Sequence, residues 1–196
     1  ELTPKKSLEY LKKMGLSALD EKDDQVLSLA IGGMTHGASP LEMAAAYGTI
    51  ANGGVYITPT FYTKVVDASG NTVLTPKQEQ TRVFSEQVAY LTTSITQEPT
   101  KGSGTATYCA ISGMDVAAKT GTTDKSYDRW LCGFTPYYAA ATWFGFDDNE
   151  EVRGFSRNPA GQIWDAVMTD IHKNLAGARF TRPGGIVEQT VCRVTG

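Results

Sequence analysis

"AAKTGTTDKSYDRWLCGFTPYYAAATWFGFD", residues 117–147, reads as three strands in succession and decides the fold class. The expected strands cover residues 115–120, 128–135 and 138–146, each rich in aromatic, β-branched or small apolar residues. "TPYY" between the last two is a tight turn, so those two strands pair as an antiparallel hairpin. The end of the first strand carries a cationic, hydroxyl-rich cluster: Lys119, Thr120, Gly121, Thr122 and Thr123. Lys119 offers a fixed positive charge to an anionic ligand or to a neighbouring proton-transfer group. Thr120 and Thr122 stand two apart, so in a strand their hydroxyls share a face and can both hold one carboxylate. Gly121 between them lets another backbone approach closely. On an edge strand the Thr122 N–H can donate to a ligand carbonyl, as an oxyanion hole requires. Ideal alternation puts Lys119 on the opposite face from the two threonines, so it either reaches round the strand edge or lies beneath it.

Helices are expected on both sides of this stretch. "TPKKSLEYLKKMG" has Thr3 as a cap, Pro4 in the first turn, Leu8, Leu11 and Met14 as an apolar stripe and Gly15 as a stop. Residues 20–25 are charged and read as a loop. Ser39 followed by Pro40 and Glu42 is a capping box, and the small-residue helix it opens runs over residues 40–52, buried at the centre of a domain. Two short strands flank the turn "DASGN". Ser85 caps a helix that halts before Pro99, and the Gly- and Ser-rich run after it reads as a loop or a short mobile helix. Ile163, Val167, Ile171 and Leu175 recur at four-residue steps, the pattern of an amphipathic helix. The tail, residues 182–196, reads as a short strand and an exit. With no internal repeat or low-complexity linker, the expectation is one α/β (α+β) unit, an antiparallel sheet flanked by helices.

Composition excludes several function classes. The chain has 196 residues, enough for one domain or a large part of a bigger one. Its net charge is −3, with both signs interspersed, which argues against a nucleic-acid partner. No apolar run is long enough to span a membrane. The start is neither an initiator Met nor a signal peptide, as expected of a processed or excised piece. Cys109, Cys132 and Cys192 lie far apart and, with only His36 and His172 besides, offer no metal-binding spacing, so no metal or cofactor is expected. The three thiols are expected to be buried or half-buried. His36 is expected to be a loop histidine rather than a base. "GGMTHGAS" lacks the G-K-[ST] ending of a phosphate loop.

K-T-G is one of three short motifs of the penicillin-recognising serine acyl-transferases, with S-x-x-K and S-x-N. Its surroundings extend the match. K-T-G-T-T leads into a strand bearing Asp128, Trp130, Gly133, Thr135 and Pro136, and the next strand bears Trp143, Gly145 and Asp147. Together with "GGMTHGASPLEMAAAYGTIANGGVYITP" upstream and "IWDAVM" downstream, the chain resembles the transpeptidase domain of class A penicillin-binding proteins, the bifunctional cell-wall synthases. The resemblance runs from about Leu8 to near the C-terminus.

It implies the β-lactamase/transpeptidase-like fold, penicillin binding and D,D-transpeptidation of peptidoglycan stem peptides through an acyl-serine. Lys119 would hold the ligand carboxylate and tune proton transfer. Thr120 and Thr122 would bond that carboxylate, the Thr122 N–H would form half the oxyanion hole, and Gly121 and Thr123 would complete the substrate-binding wall. The implied partners are stem peptides, β-lactams, a glycosyltransferase domain in the parent and the N-terminal part of the same domain. The implied location is the outer face of the bacterial cytoplasmic membrane.

One departure is large: the chain contains no S-x-x-K. Thr3 with Lys6, and Thr122 with Lys125, have the spacing with threonine, but the first reads as a helix cap and the second overlaps the K-T-G loop. Ser156-Arg157-Asn158 matches S-x-N but follows K-T-G, where the family places it before, and is read as a chance match. The chain is therefore expected to be the C-terminal portion of the catalytic domain, inactive alone. A non-catalytic peptidoglycan- or β-lactam-binding module, or a penicillin sensor or β-lactamase of the same fold, is the alternative.

Overall fold

The computed structural model describes residues 2–192. In chain order it contains α1 (Pro4–Lys13), α2 (Pro40–Ala51), β1 (Val55–Ile57), β2 (Val65–Val66), β3 (Thr72–Leu74), β4 (Gln80–Arg82) and α3 (Glu86–Gln97). These are followed by β5 (Ala117–Thr122), β6 (Asp128–Phe134), β7 (Ala139–Gly145) and α4 (Pro159–His172). Among these residues no helix is long and apolar enough to cross a membrane.

The sheet that organises the fold is antiparallel, ordered β5-β6-β7, so β5 and β7 are both edges. Successive side chains point to opposite faces, one face meeting α4 and the other α2. On one face Ala118 and Leu131 pack with Trp164 and Met168 of α4. Gly133 permits this contact: a Cβ there would lie 2.9 Å from the Ala118 Cβ and 3.0 Å from the Trp164 ring. On the other face Phe134 meets Tyr47 of α2 edge-on, and Gly48 lies against Ala139.

The α4 result corrects the expected stripe. Ile163, Val167 and Ile171 are 44%, 52% and 45% exposed, while Ala160, Trp164, Met168 and His172 are buried. The helix carries two apolar rows one residue apart, and the row with the larger Trp and Met side chains takes the sheet. His172 belongs to that row for a polar reason. Its Nδ1 lies 2.6 Å from the Met168 carbonyl, which can only accept, so Nδ1 carries the proton and Nε2 accepts from the Thr135 hydroxyl at 2.8 Å. The same hydroxyl oxygen accepts the N–H groups of Tyr137 and Tyr138, tying the "TPYY" turn to the end of α4.

Other departures are smaller. Residues 115–116 are not paired in the sheet, because the Asp115 N–H bonds Ala178 and its carboxylate takes Arg179 and the Phe180 N–H. β5 instead continues through Gly121 and Thr122, opposite Trp130 and Arg129. Residues 21–25 form a 3-10 turn capped by Asp20, with Asp23 buried against Thr35. The turn "DASGN" joins β2 and β3 as expected, Asp67 accepting the N–H groups of Ser69 and Asn71. β4 pairs with β1, a long-range contact without a local sequence signal. No strand forms among residues 182–192, and residues 193–196 lie outside the described part. α2 is less enclosed than expected, with Ala46 and Thr49 its fully buried residues.

Cys109 and Cys132 are buried, and burial pushes both thiols up to about 12, whereas Cys192 is exposed. His36 pairs with Asp20 at 3.3 Å.

The capping box of α2 gives a pH dependence. The Glu42 carboxylate accepts the N–H groups and hydroxyls of Ser39 and Ser17 at 2.7 to 2.8 Å. These donors, the Ser39 N–H first, hold its pKa down to about 2. A depressed carboxylate stabilises the fold above its unfolded pKa and loses that contribution as pH falls through the folded one. The contribution of Glu42 is therefore complete above about 4.5 and fades toward about 2. Glu42→Gln is expected to unfold more easily at neutral pH and to flatten the stability curve across this window. A variant whose acid unfolding curve overlays the parent curve would contradict the assignment.

Candidate active site

β5 carries Lys119, Thr120, Gly121 and Thr122 as its last four residues, at the expected strand end and on an edge strand of the sheet. Its orientation follows from one bond: the Thr123 N–H donates to the Asp128 carbonyl at 3.2 Å, so residue 123 faces β6. In an antiparallel ladder neighbouring residues alternate, so the Thr122 N–H and the Thr120 carbonyl point away from β6, to the open edge. The Val116 carbonyl obeys the same alternation and is met on that side by the Thr100 hydroxyl at 3.1 Å.

Lys119 reaches round the strand edge, its amine donating to the Thr120 carbonyl at 3.0 Å. That resolves the alternation problem: the cation and the two hydroxyls start on opposite faces, but the amine ends on the edge. Each hydroxyl has a neighbour. Thr120 Oγ1 lies 3.0 Å from Thr105 Oγ1, and Thr122 Oγ1 accepts from Arg129 Nη1 at 3.3 Å. Gly121 sits over Trp130, whose Cβ would lie 3.0 Å from any Cβ added at Gly121.

Thr123 departs from the expected pattern. Its hydroxyl donates to Asp128 Oδ2 at 3.0 Å and accepts the Asp128 N–H at 2.8 Å. Asp128 Oδ1 in turn accepts Trp143 Nε1–H at 2.8 Å. This ring fastens the end of β5 to β6 and β7, across a following turn in which Lys125 and Ser126 have φ of 57° and 60°. Two left-handed non-glycine residues cost about 1–3 kcal/mol each, so the ring closes a turn that needs holding. Asn158, read as a chance S-x-N match, caps α4: its Oδ1 accepts the Ala160 N–H and its Nδ2 donates to the Trp130 carbonyl.

Sequence reading passed over Thr105 and Arg129. Thr105 lies in a Gly-rich run with no periodicity, and nothing local ties it to β5. Arg129 had a usable signal, since pairing of the two expected strands places it opposite Thr122. Among the described residues no three His, Cys, Asp or Glu side chains gather as a metal site would require.

Comparison with known proteins gives this edge strand its context. Residues 1–169 match the penicillin binding protein transpeptidase domain. The chain is 36% identical to penicillin-binding protein 1A of Clostridium botulinum over 190 residues, 97% of this chain and 23% of that relative. The chain thus spans about a quarter of the length of the curated relatives it matches. Penicillin-binding protein 1A from Haemophilus influenzae superposes with a TM-score of 0.74 at 24% identity, covering 97% of this chain and 34% of that one. The PonA1 protein from Mycobacterium tuberculosis, solved in complex with penicillin V, superposes with a TM-score of 0.77 at 24% identity, covering 92% and 53%. With the K-T-G strand at a sheet edge and the match reaching from α1 into α4, the chain belongs to the penicillin-binding protein transpeptidase domain family.

Proposed function

We propose that this chain supplies one wall of a serine-type D,D-transpeptidase site that binds penicillin and cross-links peptidoglycan stem peptides. The observation that carries the reading is the edge strand itself, with a cation, two hydroxyls and an outward-turned N–H within four consecutive residues. An extended peptide laid along that edge meets main-chain partners, and a terminal carboxylate meets Lys119, Thr120 and Thr122. The Thr122 N–H donates to the carbonyl oxygen as it gains charge. The penicillin V held by the mycobacterial neighbour is consistent with this ligand class.

The nucleophile comes from elsewhere in the parent, since the chain has no S-x-x-K. In this reading the chain is the C-terminal portion of the domain, and a preceding portion supplies serine and lysine. The serine oxygen bonds the carbonyl carbon of the penultimate D-Ala and the peptide bond to the last D-Ala breaks, that residue leaving with the serine proton. An amine on a second stem then bonds the same carbon, the ester breaks and the serine regains a proton. Lys119 stabilises the carboxylate and tunes these transfers, while Gly121 and Thr123 shape and anchor the strand. The parent carries a glycosyltransferase domain and is anchored at the outer face of the bacterial cytoplasmic membrane.

Labelled penicillin tests the reading. The parent is expected to take up one covalent equivalent and the isolated chain none. A stable adduct on the isolated chain would contradict it, and so would a parent that takes up no label.

A further inference from the structure

We propose that Arg129 is a specificity-determining residue of this site, orienting and charging the Thr122 hydroxyl for ligands that carry a free carboxylate. The inference rests on the transpeptidase reading above and adds a residue that K-T-G does not contain.

Three observations carry it. The first is register: Arg129 on β6 stands directly opposite Thr122 on β5, so the two side chains share a face. The second is the bond from Arg129 Nη1 to Thr122 Oγ1 at 3.3 Å. A hydroxyl has one proton, and when its oxygen accepts from a guanidinium its O–H is left to donate outward. A donor backed by a cation is matched to an anionic acceptor and poorly matched to a neutral one.

The third is that the guanidinium lacks compensation. Arg82, Arg153, Arg179 and Arg182 each pair with a carboxylate, and Arg157 lies over the Tyr108 ring. Arg129 has neither among the described residues, and its Nε is buried without a hydrogen-bond partner. Its cross-strand neighbour on β7 is Phe144, which packs on Phe155. A half-buried guanidinium with no carboxylate partner and an unmet N–H is costly unless an anion answers it. Lys119 stands on the same short strand as Thr122, so an arriving carboxylate meets two cations, one directly and one through Thr122.

The test uses the full-length parent and compares acylation by benzylpenicillin with acylation by its methyl ester, in which the carboxylate is blocked. Arg129→Gln is expected to lower the second-order rate for the free acid about tenfold or more, while the ester rate changes little. The acid-to-ester preference therefore collapses, a ratio that partial misfolding does not move. Arg129→Lys, which keeps the charge, is expected to sit between parent and Gln variant. Equal losses on both ligands, an unchanged ratio, or identical Lys and Gln variants would overturn the proposal. A wild-type parent that reacts with neither ligand would instead remove the transpeptidase reading on which it rests.

Discussion

Replacing Lys119 with alanine in the parent protein is expected to slow acylation by penicillin about 100- to 1000-fold, the usual cost of removing a preorganised electrostatic group. Thermal unfolding should stay where it is. Lys119 is exposed and, among the described residues, its amine bonds the Thr120 carbonyl at the strand edge, so little packing is lost. Thr122→Val offers a contrast: it removes one hydroxyl but keeps the outward N–H, and should cost about tenfold. Time courses with labelled penicillin measure both. An unchanged rate for Lys119→Ala would take the residue out of the site, and a matching fall in unfolding temperature would make its role structural.

Trp164→Ala should have the largest effect on stability. The side chain is 1% exposed, packs with Ala118, Leu131 and Met168, and donates its Nε1–H to the Ala140 carbonyl at 3.1 Å. Large-to-small truncation at such a position costs about 3–5 kcal/mol, through lost transfer energy and the cavity left behind. Because α4 then loosens from the face of the sheet that carries Thr120 and Thr122, the site should lose order together with the core. Denaturant unfolding measures the cost, and a loss below about 1 kcal/mol would mean that another residue carries the α4 contact.

Local and long-range parts of the molecule are unequally legible in the sequence. The hairpin across "TPYY", the capping box of α2, the Thr3 cap and the K-T-G cluster are local patterns, and each has its expected place in the structure. What the sequence hides is set by partners distant in the chain. Which apolar row of α4 turns inward depends on the sheet it meets, and the row at Ile163, Val167 and Ile171 keeps the period without the contact. Pairing of β1 with β4 closes across residues 58–79, and the Thr105–Thr120 contact joins a loop to a strand, so neither has a local signature. The edge position of β5 is the decisive case. The residues of K-T-G-T say which groups are available, but only the strand order says that one side of the strand has no partner strand among the described residues.

In the proposed reading, the unpaired edge of β5 is one wall of a site whose nucleophile lies outside the chain. Mass-spectrometric mapping of the penicilloyl group on the labelled parent decides whether that is so. The expected result is a single acylated serine preceding this chain, with a lysine three residues after it. An acyl group on any residue within the chain, whether Thr122, Ser126 or Ser156, would contradict it.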